Sequence, residues 1–120
     1  MSKHPTYESI VGHLVEEVPG LGSMYDEHRR DYGAILPHVF FGELTRFVEN
    51  AFMAPPSSSA RQSGIKILAL LERAMASDDD KLQELISTSF LENLDQDAAA
   101  FNDLRASLGP ALRKELEAYE

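Results

Sequence analysis

Residues 36–53 have the sequence Leu-Pro-His-Val-Phe-Phe-Gly-Glu-Leu-Thr-Arg-Phe-Val-Glu-Asn-Ala-Phe-Met. Their apolar side chains recur at the 3.6-residue spacing of an α-helix. Placed at about 100° per residue, they form one wide apolar face: Leu36, Phe40, Phe41, Leu44, Phe47, Val48, Ala51 and Phe52. The opposite side carries His38, Gly42, Thr45 and Glu49. We therefore predict that this segment is the central helix of an all-helical domain.

Helical periodicity continues over almost the whole chain, and no segment shows the sustained alternation of a β-strand. Further helices are predicted at residues 5–18, 22–32, 59–76, 79–94 and 97–108, with a short last helix after Pro110. The Pro/Ser-rich residues 54–59 are predicted to form a loop. The expected fold is all-α: one domain over residues 1–120, built as an irregular bundle of about six to seven helices in antiparallel hairpins. An α-solenoid-like stack is the alternative.

The charge of the chain is strongly acidic, with 20 acidic and 11 basic residues and a formal net charge of −9. This excess disfavours binding to nucleic acid and to anionic membranes, and it favours association with a basic protein. The chain has no cysteine, so disulfides and thiolate metal sites are excluded. Residues 1–8 lack the apolar core of a signal peptide, and no run is long enough to span a bilayer. A cytoplasmic location is expected.

Most of the net negative charge lies in and around the acidic segment, residues 77–97. Between Ala74 and Leu104 there are eight acidic residues and one basic residue, Lys81. Several of the acids, Asp78 to Asp80 among them, are explained as caps of helix N-termini. Capping does not explain the remaining acids, which fall on the outer side of the predicted helix.

A helical wheel of residues 79–94 indicates which side chains face outward. With Leu82 at 0°, the core residues fall between about 300° and about 120°, and Asn93 falls among them at about 20°. Asp80, Glu84 and Asp95 fall on the other side, at about 160°, 200° and 220°. Leu91 falls between these acids at about 180°. It is either an exposed apolar anchor for a partner or a residue covered by another helix.

Motifs for catalysis or cofactor binding are not found. None of the histidines in the predicted helices has a glutamate three residues before it, as a helical di-metal site requires. The sequence contains no nucleophile elbow and no glycine-rich phosphate loop. We therefore predict a protein that is not an enzyme and has no catalytic residue, metal or cofactor. A small-molecule or metal site around His38, whose ring is expected to be uncovered, or around His28 is a less favoured possibility.

Two blocks carry a family resemblance: Leu36-Pro37-His38-Val39-Phe40-Phe41-Gly42-Glu43 and Ser89-Phe90-Leu91-Glu92-Asn93-Leu94. They resemble a poorly characterised family of small, acidic, all-helical bacterial proteins. Such domains are often suspected to be immunity proteins of toxin systems. The resemblance implies a protective or binding role and does not identify the toxin.

The leading functional hypothesis is an immunity-type inhibitor that binds and occludes a basic effector, such as a toxin domain, through an acidic helical face. The predicted partner-binding residues are Asp79, Asp80, Glu84, Leu91, Glu92 and Asp95. The alternative is a helical scaffold or adaptor that uses the apolar face of the central helix, with Phe41 and Phe52 at its margin. A homodimer is one form that this scaffold could take.

Overall fold

A computed structural model describes residues 5–120 of the chain. Within this range there are seven α-helices and no β-strand, which confirms the predicted all-α fold. The helices are α1 (Ile10–Glu17), α2 (Gly22–Tyr32), α3 (Pro37–Met53), α4 (Ser59–Met75), α5 (Asp80–Ile86), α6 (Phe101–Ala106) and α7 (Pro110–Leu116). A π-helical segment, Ser87–Leu91, continues α5 directly. No helix in residues 5–120 is both long enough and apolar enough to cross a membrane.

Helix α3 is the centre of the bundle, as predicted, and packs along α4. The two helices approach closely at Gly64, where an added Cβ would lie 2.8 Å from the Cβ of Ala51. Most of the apolar face of α3 is covered: Phe41 and Phe52 are only 0% and 3% exposed, whereas Leu36, directly before the helix, is 40% exposed. Phe41 and Phe52, which the scaffold alternative placed at the margin of its surface, therefore lie in the core.

The Pro/Ser-rich loop is fixed by Arg61 of α4. The guanidinium donates hydrogen bonds to the carbonyl oxygens of Phe52, at 2.8 Å, and of Ala54, at 3.0 Å, at the C-terminal end of α3. Ser58 caps α4 by accepting a bond from the Arg61 N–H at 3.1 Å. These contacts satisfy backbone groups that a helix end leaves without partners.

Two helices begin later than their periodicity predicts. The chain enters α1 through a turn in which the backbone N–H of Ile10 donates to the Thr6 carbonyl and the side chains of Thr6 and Ser9 bond to each other. Before α6, the N–H of Asp97 donates to the Asp95 carboxylate. Short polar side chains compete in this way with helical hydrogen bonding.

The helical spacing of residues 22–32 predicts that His28 and Tyr32 both lie on the inner side of this helix, and His28 is indeed a buried structural residue of α2. Its Nδ1 lies 2.6 Å from Glu43 Oε1, and its Nε2 accepts a hydrogen bond from the backbone N–H of Leu36. Both ring nitrogens therefore have partners within the fold, and neither is open to a metal ion or a ligand. Tyr32, expected on the same inner side, is instead 52% exposed.

Candidate functional site

The polar side of α3 faces the acidic segment at Thr45, whereas His38 at the start of the helix is exposed. Thr45 is 0% exposed. Its hydroxyl donates to the Phe41 carbonyl at 2.9 Å and lies 3.3 Å and 3.4 Å from the carbonyl oxygens of Ser89 and Phe90. The expectation of an outward-facing stripe on α3 was therefore wrong at Thr45, since the π-helical segment covers it.

The π-helical segment changes the direction in which the side chains at the end of this helix point. The N–H of Glu92 bonds to the carbonyl of Ser87, five residues earlier, at 3.0 Å. A π turn holds one residue more than an α turn, so later side chains rotate back by about 100°. Leu91 moves from about 180° to about 80°, inside the core arc. It is 0% exposed, and the prediction that it is an exposed anchor is wrong.

The same rotation corrects the position of two neighbouring residues. Asn93 moves from about 20° to about 280°, outside the core arc. It is exposed, and its amide donates to the Ser89 carbonyl at 2.9 Å. On the same wheel Glu92 moves to about 180°, and it is exposed. The π turn therefore accounts for the burial of Leu91 and for the exposure of Glu92 and Asn93.

Four of the predicted binding residues form an exposed acidic face: Asp80, Glu84, Glu92 and Asp95. None of them makes an ion pair within 4.0 Å with a basic side chain of residues 5–120. The backbone N–H of Asp95 is tied to α3 by a 2.8 Å hydrogen bond to Glu49 Oε2. The acidic face thus presents its charge to solvent from elements that are packed on the core.

Asp79 differs from these four because its carboxylate is used within the fold. It accepts hydrogen bonds from the N–H of Tyr7 at 2.8 Å and from the N–H of Leu82 at 3.1 Å. These bonds hold the pKa of Asp79 below the ordinary aspartate value. Asp79 is therefore the N-cap of α5 and the attachment point of the segment before α1.

His38 lies at one end of the acidic face and is fixed by a serine that the sequence did not single out. Its Nδ1 is 2.6 Å from the hydroxyl of Ser89, which is only 7% exposed. His38 lines a hollow of about 220 Å³ with Tyr7, Lys81 and Glu84. The lysine ammonium lies 5.8 Å from the centre of the Tyr7 ring. Ser89 lies among the polar residues that begin the π-helical segment, so its sequence carried no distinct signal for this contact.

Metal ligands do not converge in the part of the chain that the structure describes, since no three His, Cys, Asp or Glu side chains are grouped to hold an ion. The Ser89–His38 contact has no third side chain bonded to His38 among residues 5–120. The arrangement is a set of polar and charged side chains around a small hollow.

Comparison with known proteins gives a family. No curated protein and no solved structure matches the chain. A family model described as "Domain of unknown function (DUF7674)" matches residues 11–120, which include α1 from its second residue, all of α2 to α7 and the whole acidic face. The chain belongs to this family of unknown function.

Proposed function

We propose that this protein is a binding module for a basic protein, and specifically an immunity-type inhibitor that occludes a toxin or another basic effector in a bacterial cytoplasm. The observation that carries the proposal is the acidic face, whose four carboxylates have no basic partner among the described residues. Unpaired carboxylates on one side of a molecule steer a cationic partner toward that side and accelerate its association.

The placement of the acidic face supports this function further. Asp80 and Glu84 project from α5, and Glu92 follows the π-helical segment, so these side chains are carried on packed elements. A surface that keeps its shape loses little conformational entropy when a partner binds. The cluster of charge is also far larger than helix capping requires, because Asp79 alone caps α5 with its side chain.

The test measures association with a panel of basic toxin-type domains at about 50 mM and about 300 mM salt. The variant Glu84→Lys/Glu92→Lys/Asp95→Lys is expected to lower the association rate constant about tenfold or more at low salt and to flatten its salt dependence. Biolayer interferometry gives both rate constants directly.

The control variant Glu16→Lys/Asp26→Lys/Glu27→Lys makes the same change in net charge on α1 and α2. It is expected to slow association much less. Equal slowing by both variants would show that net charge alone matters and would refute the assignment to the acidic face. Absence of salt-dependent binding by every basic domain in the panel would refute the function itself.

A further inference from the structure

A second hollow adjoins the acidic face and has an apolar lining. It measures about 290 Å³ and lies between α1, α2 and the start of α3. Its lining residues are Tyr7, Glu8, Val11, Gly12, Tyr25, Ile35 and Pro37. Tyr7 also lines the hollow that contains Glu84, so the two hollows meet at this ring. Charge and apolar surface are therefore adjacent here.

The walls of this second hollow are held in place by the core. Tyr25 packs its ring against Phe40 in an edge-on contact, with 6.5 Å between ring centres, and Val11 is only 6% exposed. Tyr7 is fastened through its backbone to Asp79. Gly12 lines the hollow without a side chain, and an added Cβ there would meet no atom within 4 Å. Tyrosine-lined hollows of this kind suit the anchoring side chains of protein interfaces.

The charges at the rim indicate what kind of segment fits. Glu8 lines the second hollow and is exposed, and the adjoining hollow is lined by Glu84 and by Lys81, whose ammonium lies near the Tyr7 ring. The apolar lining favours a large apolar side chain, and the two carboxylates, which outnumber the one ammonium, favour lysine or arginine beside it. Neither charge nor apolar burial alone would select this combination.

We infer that the hollow around Tyr7, Tyr25 and Ile35 is the anchor site of the interface: it takes one large apolar side chain of the basic partner, flanked by basic residues. This inference rests on the proposed function, because it assigns to the same partner the apolar contact that the buried Leu91 does not provide. Burial of the anchor slows dissociation, whereas the acidic face accelerates association.

The test uses two lysine-rich synthetic peptides that differ only in one central residue, tryptophan or alanine. This protein has no tryptophan, so the peptide indole is the only one in the sample and its fluorescence reports its burial. We expect the tryptophan peptide to bind about tenfold more tightly than the alanine peptide and its emission to shift to shorter wavelength. We expect Gly12→Leu, which adds a large side chain to the lining of the hollow, to abolish both effects.

The matched control is Gly22→Leu, since an added Cβ at Gly22 of α2 also meets nothing within 4 Å and Gly22 does not line the hollow. It is expected to keep the tryptophan preference. Ile35→Lys, which repels a basic segment, is a second test variant should Gly12→Leu fail to fold. Loss of the preference in this variant, with the fold retained, supports the site.

Three results would overturn the inference. The first is equal binding of both peptides to the natural protein, and the second is a tryptophan preference that survives Gly12→Leu or Ile35→Lys. The third is a concentration-dependent dimer that Gly12→Leu dissolves, because the occupant would then be a second copy of the chain. Salt-sensitive binding of the alanine peptide in any of these cases leaves the proposed function intact. Failure of the anchor site can therefore be distinguished from failure of the proposed function.

Discussion

The Asp79 carboxylate accepts hydrogen bonds from the N–H groups of Tyr7 and Leu82, which are far apart in the chain. These bonds lower the pKa of Asp79 in the folded state and so stabilise the protein. Their whole contribution to the free energy of unfolding is present at pH values above the ordinary aspartate pKa of 3.8. This contribution is lost as the pH falls from there through the lowered value. We predict that Asp79→Asn destabilises the protein at neutral pH and that the difference shrinks below about pH 4.

Urea denaturation over a pH series measures this difference. The control is Asp78→Asn, because Asp78 is exposed and its carboxylate has no hydrogen bond within residues 5–120. Arg105 lowers the pKa of Glu120 in the same pH range, but this effect is common to all variants and cancels. A difference that stays constant from pH 7 to pH 3 would contradict the role given to Asp79.

At the scale of the element, the π-helical segment holds one residue more than an α-helical turn in the same place would hold. Removing Thr88, which is exposed within it, is expected to restore an α turn while Phe90, Leu91 and Leu94 keep their inward positions. We predict a loss of less than about 2 kcal/mol in the free energy of unfolding. Equilibrium unfolding followed by circular dichroism measures it.

The matched control is deletion of Ala69, an exposed residue of α4. That deletion rotates Leu70, Leu71 and Ala74 away from the core, so we expect a loss of more than about 4 kcal/mol or no folded protein. If both deletions lowered the free energy of unfolding equally, the π turn would not contain the one extra residue that its hydrogen bonding indicates.

The elements that the sequence predicts well are those in which one period holds throughout. The apolar side chains of α3 keep the 3.6-residue spacing from Leu36 to Phe52, and the prolines and serines after Met53 end the helix clearly. The wheel of residues 79–94 failed at Leu91 and Asn93 because it assumes the same angle at every step. A π turn leaves no distinct composition, so its position could not be predicted from the pattern.

The site is less predictable than the fold because its contacts join distant parts of the chain. Exposure of Asp80, Glu84, Glu92 and Asp95 was correctly predicted, since charged side chains seldom lie in a core. The bonds from Tyr7 to Asp79 and from His38 to Ser89 join residues 72 and 51 positions apart. Such long-range pairs cannot be predicted from the local spacing of residues. The residues that they join, Tyr7 and His38, line the two hollows.

At the scale of the whole molecule, a formal net charge of −9 means that carboxylates repel one another in the folded state. Salt screens this repulsion, so we predict that the melting temperature rises as sodium chloride is raised from about 50 to about 300 mM. In the variant Glu84→Gln/Glu92→Gln/Asp95→Asn the rise should be smaller, and its melting temperature at low salt should be higher by about 2–4 °C.

Calorimetry at the two salt concentrations measures both effects. Glu16→Gln/Asp26→Asn/Glu27→Gln is the matched control with the same change in charge, and its salt dependence should stay closer to that of the natural protein. An equal change in both variants would mean that the acids of residues 77–97 repel one another no more than acids elsewhere.

The π-helical segment also bears on how the family has evolved. An insertion of one residue in a helix ordinarily turns everything beyond it and is removed by selection. Here the extra residue is confined to Ser87–Leu91, and the hydroxyl of Thr45 lies against the carbonyl groups of that turn. We therefore expect a family member one residue shorter at this point to keep the same core, with an unbroken α-helix that carries the counterpart of Leu91 inward.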